Sequence, residues 1–404
     1  MLLKVNKAVF YFIVLCFIAM LAPYLWDFGF RDLFLRDYLA KRIMTIVSLP
    51  FFILVFLLGL KSPAIKVNKN ITAYLLVFVL VFINSVLYRN SISSIVLDCF
   101  VALLPVFFYL LVYKTEFDTK DYSTYFSTFL VIACTLSLLN VKLQFSYFSM
   151  LGIIYLMFLT KFNLKSFALL LFFPLLVVNT LIGKSSLIML FFIIFYFFIF
   201  DKKLVSKKKK IFLLLIPSVL IVVGSVVFWD SIKRTGAYKN TTYFLRHADF
   251  EKLEFSDMST GHRIYEAQRV FEDFKNSNIY SNLLGNGFGA TIDLSETNDV
   301  AVTNSNSDLS KVRHIHIGLF AVLHRFGLIG VSIYLIFITK LFRSCMKVLK
   351  NSNDFAIVLS VLYVMVILFD SFISFPHMMS NFMFWLIAFI VFYENDKINY
   401  KYTS

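Results

Sequence analysis

Three polar clusters interrupt a chain that is otherwise almost continuously apolar, and each carries residue types able to handle anions or protons. The first is Gly261-His262-Arg263. Ser259-Thr260 precede it, and the run from His262 to Lys275 has helical periodicity with Thr260 as its N-cap. At 100° per residue, Ile264, Ala267, Val270, Phe271 and Phe274 share one arc. Arg263 falls inside that arc and Arg269 falls opposite. An arginine on an apolar face costs free energy unless an anion meets it. Two partners are open: a carboxylate of the same helix (Glu266 or Asp273), or a phosphate held by the planar, bidentate guanidinium.

The second cluster is Arg313-His314-Ile315-His316, followed by His324-Arg325. On one continuous helix, His316, Phe320, Leu323, Gly327 and Gly330 form a stripe, and its small residues would allow close helix contact. His316 would then face the protein interior at the outer membrane boundary, either as a general base or as an interfacial hydrogen-bonding residue. Two histidines could begin a zinc site, but no Cys, Glu or Asp flanks them at ligand spacing, and no metal is expected. Arg325 would lie roughly 13.5 Å deeper at 1.5 Å rise per residue. An intramembrane arginine marks function or a buried ion pair. Asp98 and Asp370 are its candidate partners.

The third is Leu284-Gly285-Asn286-Gly287-Phe288-Gly289, read as a tight turn. It does not follow a strand and open a helix as a dinucleotide-binding loop would. Lys184, after Gly183, is either a phosphate contact or a snorkelling interfacial lysine. The sequence has no Walker motif and no Ser-His-Asp arrangement, so nucleotide energy is not expected.

What must position these residues is a membrane. Hydrophobic residues make up 59% of the 404 and charged residues 16%, while mean hydropathy is +0.79. A soluble domain of this size needs more charge to cover itself. The apolar runs are continuous rather than alternating, so they predict helices and not a barrel. Twelve spans are expected: 8–26, 43–60, 71–88, 92–113, 122–141, 145–160, 164–182, 185–200, 211–229, 315–341, 355–375 and 380–394. The first has no cleavage site after it and is read as retained.

Lys202, Lys203 and Lys207 to Lys210 form the densest basic loop, which belongs inside. That choice puts both termini in the cytoplasm and makes nucleic acid unnecessary to explain the +15 net charge. Residues 27–42, with Arg31, Arg36, Lys41 and Arg42, are the exception, read as a short helix on the outer surface. The chain thus divides into 1–229 (nine spans), an 84-residue outer loop at 230–313, and 314–404 (three spans). Cys16, Cys99 and Cys134 lie in apolar runs and Cys345 in a basic loop; none falls in 230–313, so no disulfide framework is available there.

In this order, Gly261-His262-Arg263 with its helix, Leu284 to Gly289, and His316 eleven residues before Gly327-Leu328-Ile329-Gly330, the chain resembles the O-antigen polymerase and O-antigen ligase (Wzy-like) superfamily. The resemblance covers residues 259–330 in motif and otherwise rests on span number and loop position. It implies an all-α, polytopic membrane glycosyltransferase of bacterial surface polysaccharide assembly. The substrate would be an undecaprenyl-diphosphate-linked oligosaccharide, handled at the outer face of the cytoplasmic membrane without a cofactor. Arg263 and His316 would be the functional pair, and Lys184, Arg313, His314 and Arg325 would help to bind the diphosphate. A chain-length regulator and a flippase would be its partners. Lys184 stands where the family has an arginine, and Ile317 stands where it has a polar residue. The Leu323-His324-Arg325-Phe326-Gly327 run and the phenylalanine-rich spans favour polymerase over ligase. A lipid-oligosaccharide flippase is the rival of another class, against which the long outer loop argues.

Overall fold

The computed structural model describes residues 69–114, 119–139, 151–152, 155, 258–293, 311–312, 315–372 and 382–403. Their principal elements are α1 (Lys69–Leu87), α2 (Ile92–Lys114), α3 (Thr119–Leu139), α4 (Met258–Asn276), α5 (Ile279–Leu284), β1 (Ile292–Asp293), β2 (Lys311–Val312), α6 (Gly318–Asn351), α7 (Phe355–Ser371) and α8 (Phe382–Thr403). The described part is essentially all helix, as composition requires. Its one departure is a two-residue antiparallel ladder pairing Ile292 with Val312 and Asp293 with Lys311. Two helices among the described residues are long and apolar enough to cross a membrane, Ile92–Tyr113 and Gly318–Asn351. Two shorter ones, Ile71–Leu87 and Phe355–Ser371, are strongly apolar. The spans expected at 8–26, 43–60, 164–182, 185–200 and 211–229, and nearly all of that at 145–160, lie outside the described residues.

α7 is the hub of the core. Every residue of it except Phe369 is buried, the pattern of a helix surrounded on all sides. Asp354 starts it by accepting from the Ala356 and Ile357 amides at 2.9 and 3.4 Å. α6 and α8 flank it, α2 packs on α8, and α3 packs on α7. Buried hydroxyls cross-link this set: Tyr122 Oη to Ser360 Oγ at 2.8 Å, and Tyr334 Oη to Ser371 Oγ at 3.2 Å. α1 sits at the edge and leaves Leu76, Val79, Leu80, Ile83 and Val86 exposed along one side. A row of that kind marks an apolar surrounding rather than water.

Two spans run further than their hydropathy indicates. α6 continues to Asn351, because Leu341, Ser344, Cys345, Val348 and Leu349 remain buried at helical spacing while Arg343 and Lys350 point elsewhere. Cys345 is therefore a buried helical residue and not part of a basic loop. α8 continues to Thr403 through a polar stretch in which Lys397 stacks on Tyr393 at 4.6 Å and pairs with Glu394 at 3.2 Å.

The start and the middle of α6 also differ from expectation. Ile317 has extended geometry (φ −82°, ψ 118°) and the helix opens at Gly318, so His316 is not on it. At Gly327 the backbone leaves helical geometry altogether (φ 61°, ψ −162°), splitting α6 into two segments. The cause is an intrusion of the glycine turn that follows α5. Its Asn286 and Gly287 amides donate to the His324 and Arg325 carbonyls at 2.8 and 3.0 Å. In an unbroken helix those carbonyls would accept from residues 328 and 329.

Gly285, Gly287 and Gly289 all have positive φ. A Cβ on Gly327 would overlap the Leu283 carbonyl and stand 2.6 Å from the Gly285 nitrogen. The glycine thus admits a turn, whereas the stripe reading assigned it to helix–helix contact. Gly327→Ala would raise stability by about 1 kcal/mol if it sat in a continuous helix. Here the opposite sign is expected, a lowered thermal midpoint of the detergent-solubilised protein, and a higher midpoint would overturn the broken-helix geometry.

Candidate functional site

α4 is amphipathic, but its buried face is rotated from the one that apolar residues mark. Glu266 is 0% exposed, and Ala267 and Val270 are also buried, whereas Phe271 is 46% exposed under the Lys275 ammonium. The helix packs against α6 and β1. The β1–β2 ladder ends at Val312, and His316, just before α6, meets Glu266 of α4.

The contact is threefold. The His316 backbone amide donates to Glu266 Oε2 at 2.9 Å, and His316 Nδ1 lies 3.0 Å from both Oε1 and Oε2. An ionised carboxylate only accepts, so against ionised Glu266 it is Nδ1 that donates, and in a neutral imidazole the lone pair is then on Nε2. The carboxylate thereby sets both ring orientation and tautomer, as the acidic member of a catalytic triad does for its histidine. The His316 side chain is 36% exposed, which leaves the ring accessible from one side.

Arg263 is half-buried and three residues before Glu266, one turn along the same face. On the helical wheel it falls between Glu266 and Ala267. Among the described residues it makes no ion pair. Neither carboxylate expected to neutralise it does so. Glu266 is turned to His316, and Asp273 lies near Arg269 and Glu272. Burial pushes the Asp273 carboxyl above its ordinary pKa, an effect the Arg269 charge opposes and Glu272 reinforces. Arg269 itself holds Glu272 at 3.1 Å.

Arg325 is buried against α2. Its Nη1 is 3.7 Å from Asp98 Oδ2 in α2, and both side chains are 5% exposed. Asp98 is one of the two carboxylates the sequence offered; Asp370, the other, is buried as well. Asp98 Oδ2 also accepts from the Gly289 amide at 2.8 Å. The pair thus takes part in seating the glycine turn. His324 joins the same seat through Nδ1, 3.3 Å from Asn286 Nδ2. Lys184, Arg313 and His314 lie outside the described residues.

Several residues that build the site were not singled out by sequence. Asn90 Nδ2 donates to the Asn286 and Phe288 carbonyls at 2.9 Å each, and Ser85 Oγ accepts from the Phe288 amide at 2.6 Å. The Asn84 amide donates to the Gly285 carbonyl. Phe288 itself is wedged between Phe78 and Phe326, with ring centroids at 5.1 and 5.5 Å. Asn84, Ser85 and Asn90 are small polar residues in or beside apolar helices. That was their only signal. Glu266 was visible as a neighbour of Arg263, but not as the partner of His316, 50 residues away.

The chain matches no protein-family model and no curated protein. Among the described residues no group of three or more His, Cys, Asp or Glu is placed to hold a metal.

Removing one member of a buried ion pair strands the other, at a cost of about 3–5 kcal/mol. Asp98→Ala and Arg325→Leu are each expected to lower the thermal midpoint sharply. The double variant should lose less than the sum of the two, a coupling that a double-mutant cycle measures. Strict additivity would show that the two side chains do not interact.

Proposed function

We propose that the chain is a polysaccharide polymerase of the bacterial cytoplasmic membrane. It would move a glycan from undecaprenyl diphosphate onto a newly arrived lipid-linked repeat at the outer face. The observation that carries this reading is the Glu266–His316 pair one helical turn from Arg263, a cation whose own carboxylate neighbours are engaged elsewhere. The order of motifs shared with the O-antigen polymerase and ligase superfamily supports it.

In the proposed step a sugar hydroxyl of the acceptor attacks the anomeric carbon of the donor glycan. The new glycosidic C–O bond forms as the bond from that carbon to the diphosphate oxygen breaks. The hydroxyl proton passes to Nε2 of His316, and the positive imidazolium is balanced by Glu266. Negative charge gathers on the departing lipid diphosphate, where Arg263 offers a bidentate fork. The donor is already activated, so the step consumes no nucleotide. Lys184, Arg313 and His314 are proposed as further diphosphate contacts.

The ligase reading shares every element of this chemistry. The flippase reading draws on a different observation: a broken helix beside a buried ion pair is a feature of transporter cores. Deleting the gene separates the three. Single-repeat surface glycan indicates the polymerase, absent glycan the ligase, and lipid-linked repeats trapped facing the cytoplasm the transporter.

His316→Ala and Arg263→Ala are expected to abolish long polysaccharide at unchanged membrane abundance. Glu266→Gln should slow chain growth by roughly 10²-fold or more and alter its pH profile, because an amide no longer enforces the Nδ1–H tautomer. Normal chain length in both alanine variants would overturn the assignment.

A further inference from the structure

The short helix α5 presents an apolar face that no described element covers. Ile279, Tyr280 and Leu283 are 70%, 71% and 41% exposed, and positions i, i+1 and i+4 lie on one side of a helix. The opposite side is committed. Ser281 is buried, its amide is capped by the Asn278 side chain at 2.9 Å, and its hydroxyl meets Tyr88 Oη. Within α4 charged residues recur every few positions, yet none occurs between Lys275 and Asp293. That uncharged stretch contains the whole of α5 and the glycine turn.

The position of α5 identifies what lies against it. It packs on the end of α1, whose exposed residues form a continuous apolar row from Leu76 to Leu87. α1 is 19 residues long, or about 28 Å at 1.5 Å per residue, close to the hydrocarbon thickness of a bilayer. Its end therefore falls at a membrane boundary. The exposed side chains Leu87, Tyr88 and Ile92 follow there, and Tyr88 Oη meets Ser281 of α5. Tyrosine is the residue type that collects at that depth, with an apolar ring below and a hydroxyl toward the headgroups.

We propose that α5 is an interfacial membrane helix, seated with Ile279, Tyr280 and Leu283 in the headgroup–acyl boundary of the lipid bilayer. This rests on the membrane reading of α1 and α2. It gives the bilayer a mechanical role, since α5 leads without a linker into the turn that opens α6. Lipid contact at α5 would set the height at which that turn, and the helix bearing Arg325, are held.

The test is fluorescence quenching in the full-length protein reconstituted into phosphatidylcholine vesicles, with the wild-type signal of the native tryptophans subtracted. Tyr280→Trp is expected to lose most of its added emission in vesicles brominated near the headgroup. It should lose less when the bromine is near the bilayer centre, and little to aqueous iodide. Ile279→Trp repeats the measurement should the first variant not reconstitute. Leu80→Trp, on the exposed side of α1, should respond most to deep bromine, and exposed Gln268→Trp on α4 to iodide. Iodide quenching at 280 would place α5 in water and overturn the proposal. Protection from both quenchers would overturn it too, by showing a protein cover such as a second copy. If Leu80→Trp also ignored brominated lipid, the membrane reading itself would fall, a result distinct from failure at α5 alone.

Discussion

The carbonyls of His324 and Arg325 accept hydrogen bonds from a glycine turn about 38 residues upstream rather than from their own helix. In an apolar setting a carbonyl that loses its helical donor must find another, because no water is at hand to replace it. The turn supplies two amides at the required spacing, which is why α6 can break at Gly327 without leaving those acceptors stranded. Three positive-φ glycines give the turn the curvature to enter, and the missing Cβ of Gly327 gives it room. Much of the described 258–293 segment is attached through this exchange of partners.

Its consequences run in two directions. Toward the first helices, the turn is clamped by Asn84, Ser85 and Asn90, and Asp98 closes the set by accepting from Gly289 while facing Arg325. A buried charge pair is costly to desolvate, and amide donors to the carboxylate offset part of that cost. Toward α4, the chain re-emerges through the β1–β2 ladder, which brings the segment before α6 alongside the helix that carries Glu266. Because α6 opens only at Gly318, the His316 amide is free to donate to Glu266, which a residue in the helix interior could not do. The same carboxylate then holds the imidazole. Seat and dyad are parts of one construction: Arg325 pairs with Asp98 in the seat, and Glu266 holds His316 in the dyad.

The arginines show how identical side chains separate by context. Arg269 and Arg325 each meet a carboxylate, one at 3.1 Å within its own helix and one at 3.7 Å across the core. Arg263 lies one turn from Glu266 and, among the described residues, makes no ion pair, since a histidine from elsewhere in the chain occupies that carboxylate.

Residue order alone was enough to locate α1, α2, α3, α6, α7 and α8, because runs of apolar side chains leave a helix as the only way to satisfy the backbone in their surroundings. It also marked α4 by its periodicity, the turn by its glycines, and Asp98 as one of two possible partners for Arg325. Those inferences depend on neighbours within a few turns, or on a choice between two rare buried charges. The departure of His316 from α6, the break at Gly327 and the capture of Glu266 were decided by contacts between segments tens of residues apart. No local pattern records them, since a helix-forming stretch bends only when a distant amide competes for its carbonyls, and a carboxylate changes partner only when folding delivers a better one.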